Sequence, residues 1–179
     1  MKIGVIADTH IPRSQPRLPE ALARAFAGVD IILHAGDVCT LETLRSLQNQ
    51  FALTMAVHGE RDDEDVQHYL EAQQVVEFAN RRVGLIHGHQ LVTQSWWRRL
   101  WMSQDRLEET LHAGLSGAFE NVDCIVYGHT HRPYAEMHDG IFYFNPGPAA
   151  PIGGRRPSVG MLDIGEGSVA GRIIYLDEV

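Results

Sequence analysis

Asp123-Cys124-Ile125-Val126-Tyr127-Gly128-His129-Thr130-His131 is the stretch that decides how the rest of the chain is read. Val122 to Tyr127 is mostly apolar and rich in β-branched residues, the pattern of a short buried strand. The run breaks at a glycine and presents two histidines one residue apart. A strand end is a poor place to hide imidazoles in a core. It is a good place to aim them at a shared metal, because imidazole is a common ligand for Zn, Mn and Fe. Two polar loop histidines are the simpler alternative for this pair alone, so the other strand ends decide.

Working outward, four more apolar runs end the same way. Lys2 to Ala7 runs into Asp8-Thr9-His10. Asp30 to His34 is followed by Ala35-Gly36-Asp37, Ala52 to His58 by Gly59-Glu60-Arg61-Asp62, and Arg82 to Ile86 by His87-Gly88-His89. In open α/β sheets, ligands bind outside the carboxyl ends of the strands. Solubility or packing does not explain metal-competent side chains at all of these ends. Asp8, Asp37 and Glu60 with His10, His87, His129 and His131 supply enough donors for two ions sharing a carboxylate. Two-metal sites, with ions about 3.5–4 Å apart, activate water and clamp the oxygens of an in-line displacement at phosphorus. Mixed histidine and carboxylate donors suit Zn, Mn or Fe better than Mg, and Mn is favoured here. His34 and His58 fall one or two residues short of the site, in buried or supporting positions. Cys39 is placed as packed rather than reactive.

The remaining elements are punctuated clearly. Leu18 to Phe26 has the spacing of one helix face, and Gly28 stops it. Thr40 is the expected N-cap of a helix carrying Leu41, Leu44 and Leu47. A short acidic helix is expected over Glu64 to Glu71. Val75 to Phe78 and Arg82 to Ile86 form a hairpin turned at Asn80-Arg81. Ala135 to His138 and Ile141 to Phe144 form another around Asp139-Gly140. Ser158 to Ile164 and Ser168 to Leu176 form the last, turned at Gly165-Glu166-Gly167. Thr93 to Phe119 reads as mainly helical and carries Trp96, Trp97 and Trp101. Trp97 and Trp101 share a helix face, and either cover the core or form a lid or dimer surface. His68, His112 and His138 are expected to face solvent.

The 179 residues fit one domain with its own core. A formal charge of −8 without a lysine- or arginine-rich run argues against a duplex nucleic-acid partner. It leaves room for a small phosphorylated substrate, since bound cations reverse the local field. Two cysteines make no disulfide framework. The start is too quickly polar for a signal peptide, and no apolar run approaches a membrane helix, so a cytoplasmic protein is expected.

Asp8-Thr9-His10, Gly36-Asp37, Gly59-Glu60-Arg61-Asp62, His87-Gly88-His89 and Gly128-His129-Thr130-His131 resemble, in order, the motifs of the calcineurin-like metallophosphoesterases. Gly84 to Gln90 and Asn145-Pro146-Gly147 are similar to its small bacterial and archaeal phosphodiesterase branch, which also contains the retromer subunit. The resemblance implies an α/β fold in four layers, α-β-β-α, with two facing mixed sheets and helices outside. It implies one ion on Asp8, His10 and His131, another on His87 and His129, and Asp37 as the bridge. It implies a phosphodiesterase using metal-activated water, and the rival is a non-catalytic protein-binding scaffold on the same fold. The family places the Asn145 loop beside the site. The third motif departs from the family, which has Asn followed by His where this chain has Glu60 and Arg61. Glu60 is expected to replace the amide as a ligand. Arg61 cannot be a general acid, with a pKa above about 12, and is expected to clamp a phosphoryl oxygen. His89 is a candidate substrate contact.

Overall fold

The structure is a computed structural model that describes residues 1–51, 53–91 and 104–179, the side chains of 104–109 excepted. In chain order the elements are β1 (Lys2–Ile6), α1 (Ala21–Ala25), β2 (Ile31–Ala35), α2 (Leu41–Gln50), β3 (Thr54–Val57), α3 (Glu64–Tyr69), β4 (Gln73–Phe78), β5 (Arg81–Ile86), a 3-10 turn (His89–Leu91), α4 (Gln104–Ala118), β6 (Cys124–Val126), β7 (Tyr134–His138), β8 (Ile141–Asn145), β9 (Ser158–Ile164) and β10 (Val169–Tyr175).

These strands make two five-stranded mixed sheets, ordered β10-β9-β1-β2-β3 and β4-β5-β6-β8-β7. The period of two along each strand sends alternate side chains to opposite faces. Ile3, Val5 and Ala7 from the first sheet meet Val83, Leu85, Cys124, Val126 and Phe144 from the second in a buried core between them. The intervening positions face outward. Ile6 and Ile32 pack with Leu22, Phe26 and Leu47 of the α1 and α2 region. Ile86, Ile125 and Tyr127 pack with Leu111, Leu115 and Phe119 of the α4 region. The result is the four-layer α-β-β-α sandwich.

Local signals explain most boundaries. Thr40 caps α2, its hydroxyl accepting from the Thr43 N–H at 3.2 Å. Asp139 and Gly140 both take positive φ, and His138 pairs with Ile141 across this two-residue turn. The β4–β5 hairpin corrects the sequence reading by one residue. Phe78 pairs with Arg81, so the turn is Ala79-Asn80, both at positive φ, and Arg81 belongs to the strand. The first helix is shorter than expected, Ala21–Ala25, although Leu18 and Phe26 are buried as the periodicity required. His112 is also corrected. Its ring lies 4.8 Å from Tyr134 and 5.0 Å from Tyr143, packed among aromatics rather than facing solvent. Trp96, Trp97 and Trp101 lie outside the described residues. No helix among the described residues is long and apolar enough to cross a membrane.

Candidate metal centre

The carboxyl ends of β1 and β2 lie side by side in the first sheet, and those of β5 and β6 in the second. Backbone hydrogen bonds lock each pair. The Asp8 N–H donates to the Gly36 carbonyl at 3.0 Å, and the Gly128 N–H to the His87 carbonyl at 3.2 Å. The His129 N–H donates to the Asp8 carboxylate at 3.3 Å, joining the sheets at this edge. Asp8, His10, Asp37, His129 and His131 all take positive φ, between 46° and 66°. That region is uncommon for residues with a Cβ and costs free energy, which the surrounding structure must supply. Each such residue turns the chain sharply after its strand, so successive side chains fall on one centre. Close approach is also required. A Cβ on Gly36 would sit 2.6 Å from His87 Nδ1, and one on Gly59 would collide with the Asp37 carboxylate.

Asp8, His10, Asp37 and His131 present one donor atom each within 4.8 Å of one another. His10 Nε2 is 3.3 Å from Asp37 Oδ2, and His131 Nε2 is 3.5 Å from Asp8 Oδ1. His87 approaches the other oxygen of Asp37, with Nε2 3.5 Å from Oδ1. The His87 Nδ1 lies 2.8 Å from the Ala35 carbonyl, so in the neutral ring Nδ1 carries the proton and Nε2 keeps its lone pair for the centre. His129 Nδ1 is 3.7 Å from Glu60 Oε1. Asp8 Oδ2, His10 Nε2 and His87 Nε2 are buried without a hydrogen-bond partner. A buried polar atom left unpaired costs about 1–3 kcal/mol. Such atoms, converging with two buried carboxylates, fit a divalent cation.

The titration behaviour has the same origin. Burial opposes charge on His87, but the Asp37 and Asp8 carboxylates outweigh it and lift its pKa to about 9. Burial also opposes charge on Asp37, and His87, the Arg61 N–H and His10 together hold it far below the ordinary carboxylate range. His131 is raised by Asp8. His10 is lowered by burial, against the pull of Asp37. Without a cation, a proton on His87 offsets part of the carboxylate charge.

The sequence profile of the calcineurin-like phosphoesterase superfamily domain matches residues 1–167. The chain belongs to the calcineurin-like phosphoesterase superfamily. It is 34% identical over 147 residues to a probable metallophosphoesterase of Methanocaldococcus jannaschii, covering 82% of this chain and 67% of that protein. A phosphodiesterase of the same organism is 26% identical over 176 residues, covering 91% of this chain and 93% of the relative. Among solved structures, Vps29 of Chaetomium thermophilum superposes with a TM-score of 0.74 at 21% identity, covering 97% of both chains, and shares the fold. The chemistry of the superfamily is hydrolysis of phosphoric esters.

In this calcineurin-like domain the third motif is put to unexpected use. The Arg61 backbone N–H donates to Asp37 Oδ1 at 2.8 Å, orienting the central carboxylate. The Arg61 side chain is 60% exposed, with Nε 3.7 Å from Glu60 Oε1. Arg13, Glu60, Arg61, Thr130 and His131 are among the residues lining a pocket of about 480 Å³ over the centre. His89 is not among the residues lining it; its ring is 5.4 Å from His87 and 6.1 Å from His58. Burial and the neighbouring His87 and His58 push its pKa down to about 4, so its ring is neutral at pH 7.

Several residues support the loops that carry the centre, and of these Asp62 has no role in the sequence reading. Asp62 is buried and accepts from the Gly59 N–H at 2.6 Å and the Cys39 N–H at 2.5 Å. It thereby ties the loop after β3 to the loop after β2. Asp62→Ala should strand both donors and destabilise the protein by about 2–5 kcal/mol, read as a lowered denaturant midpoint. An unchanged midpoint would remove Asp62 from this role. Asn145 donates to the Gly128 carbonyl at 2.9 Å and to Thr130 Oγ1 at 3.1 Å, while its carbonyl oxygen accepts from the Gly147 N–H. The turn beside the site is therefore a brace for the Gly-His-Thr-His loop. His34 is fully buried, 3.3 Å from Thr9 Oγ1, which donates to the Asp37 carbonyl, so it supports the centre rather than ligating. Cys39 is buried, and burial pushes its thiol up to about 12, the packed role expected.

Proposed function

We propose that the protein is a phosphodiesterase with a dinuclear centre, two divalent ions sharing Asp37. One observation carries this reading: the two oxygens of Asp37 face different imidazoles, Oδ2 toward His10 and Oδ1 toward His87. Asp8, His10 and His131 complete the first site. His87, His129 and Glu60 complete the second. Manganese is the favoured ion for this mixed donor set, with Zn and Fe as alternatives. When bound, the ions supply Lewis acidity and lower the pKa of water, the chemistry phosphoester hydrolysis needs.

The chain's own residues do the rest. The Arg61 N–H fixes Asp37, and the Arg61 guanidinium is free to turn from Glu60 toward a phosphoryl oxygen. His89 is uncharged at pH 7 and is a poor proton donor, as is Arg61. The leaving group must therefore take its proton from solvent, which favours esters with good leaving groups. With millimolar Mn²⁺, bis(p-nitrophenyl) phosphate should be hydrolysed faster than p-nitrophenyl phosphate, and both faster than dialkyl phosphates. No metal-dependent turnover of any of them would favour the protein-binding scaffold instead.

Glu60 is the departure peculiar to this chain. Its carboxylate stands beside His129 and adds a negative charge to the second site. Glu60→Asn should weaken metal binding there by at least the roughly 10-fold that loss of an outer-shell partner costs. It should keep or raise kcat at saturating Mn²⁺, because the ions become stronger Lewis acids. Calorimetric titration decides the point: unchanged metal affinity would show that Glu60 is not a ligand.

A further inference from the structure

We propose that the substrate carries a second phosphoryl group and that Arg13 is the residue that reads it. The inference rests on the phosphoesterase reading and deepens it. Arg13 follows the first motif and lines the same pocket as Arg61, His131 and Glu60. Its Nη2 is held by Asp63 Oδ1 at 2.7 Å, a contact that joins the loop after β1 to the residue before α3. Only one of its nitrogens is engaged there, and its side chain is 49% exposed. The rest of the guanidinium fork keeps donors for an anion, in the planar arrangement that suits phosphate. Asp63 thus limits where the fork can swing without using it up.

The pocket's size and charge support a second anionic group. At about 480 Å³ it lies within the range of small-molecule sites and exceeds what a bare phosphate needs. Two divalent ions would exceed the carboxylates of Asp8, Asp37 and Glu60 by one charge. Arg13 and Arg61 add two positive charges at the rim, and Asp63 offsets one. A simple phosphodiester brings one negative charge and leaves a surplus. A second phosphoryl group at the Arg13 side, which carries about −1.5 to −2 at pH 7, more than takes up that surplus. The hydroxyl-bearing residues Ser14 and Thr130 line the same pocket. The substrate class is therefore a phosphoester with a second phosphate on the same small molecule.

The test is calorimetric binding of adenosine 5′-monophosphate and adenosine 3′,5′-bisphosphate to the Mn²⁺-loaded protein. The bisphosphate should bind about tenfold more tightly, the worth of a charge-assisted contact. Arg13→Ala and Arg13→Gln should reduce that preference to about twofold or less, mainly by weakening the bisphosphate. Equal affinities in the wild type overturn the proposal without reference to any variant, as does a preference that survives both substitutions. Hydrolysis of bis(p-nitrophenyl) phosphate by the wild type is measured alongside. If that turnover is present and the preference absent, the second-phosphate inference falls and the phosphoesterase reading stands. If turnover is absent as well, both fall.

Discussion

Asp37→Asn should lose tight metal binding at both sites and lower turnover by at least about 100-fold, more than loss of an outer-shell partner costs. The size of the effect follows from position. Asp37 is buried, and its two oxygens face His10 and His87 separately. The amide keeps the shape and one oxygen, but removes the negative charge that, on the proposed reading, would draw cations from both sides. A peripheral ligand behaves differently. His131→Ala leaves Asp8, His10 and Asp37 around the first ion and should be milder. Metal content by elemental analysis, with initial rates on an activated diester, separates these cases. Near wild-type rates in Asp37→Asn would mean the centre is misassigned.

Metal affinity should also depend steeply on pH, through His87. Its pKa of about 9 in the metal-free centre means that the ring is protonated at neutral pH. Nε2 cannot bind a cation until that proton leaves. Below about pH 9, each binding event should therefore release a proton from His87, and apparent affinity should fall about tenfold per pH unit. His131, also raised, steepens the dependence where its ring is protonated. The sign for folding is opposite in the metal-free protein. A raised native pKa gives stability that is complete below the unfolded value near 6.5 and lost as pH rises through about 9. Calorimetry in buffers of different ionisation enthalpy reads the proton count directly. A pH-independent affinity between 6.5 and 9 would contradict the charge balance described for the centre.

The sequence carried the centre because its donors come in short consecutive runs after apolar strands. The convergence of Asp8, His10, Asp37 and His131 follows from the rule that ligands bind at strand ends. What it could not carry depends on approach from elsewhere in the chain. The Arg61 backbone N–H matters only because the loop after β3 folds against Asp37. Asn145 reads as a turn residue until its side chain is seen bracing Gly128 and Thr130. Arg13 lies in a proline-marked loop with no periodicity, and its contact with Asp63 and its place in the pocket lining are seen only in the fold. The β4–β5 turn slipped by one because Asn80-Arg81 looked like the turn pair. Strand pairing instead puts Ala79, an unfavourable residue at positive φ, in its first position. His112 sits beside Leu111 on α4, and only the neighbouring tyrosines of the second sheet turn that position inward.

Asp37 is proposed to hold two ions. The most direct test is calorimetric titration of metal-stripped protein with Mn²⁺ at pH 8, followed by elemental analysis of the loaded protein. Two ions per chain are expected in the wild type, and neither bound tightly in Asp37→Asn. One ion per chain at saturation, or two in Asp37→Asn at unchanged affinity, would contradict this role for Asp37.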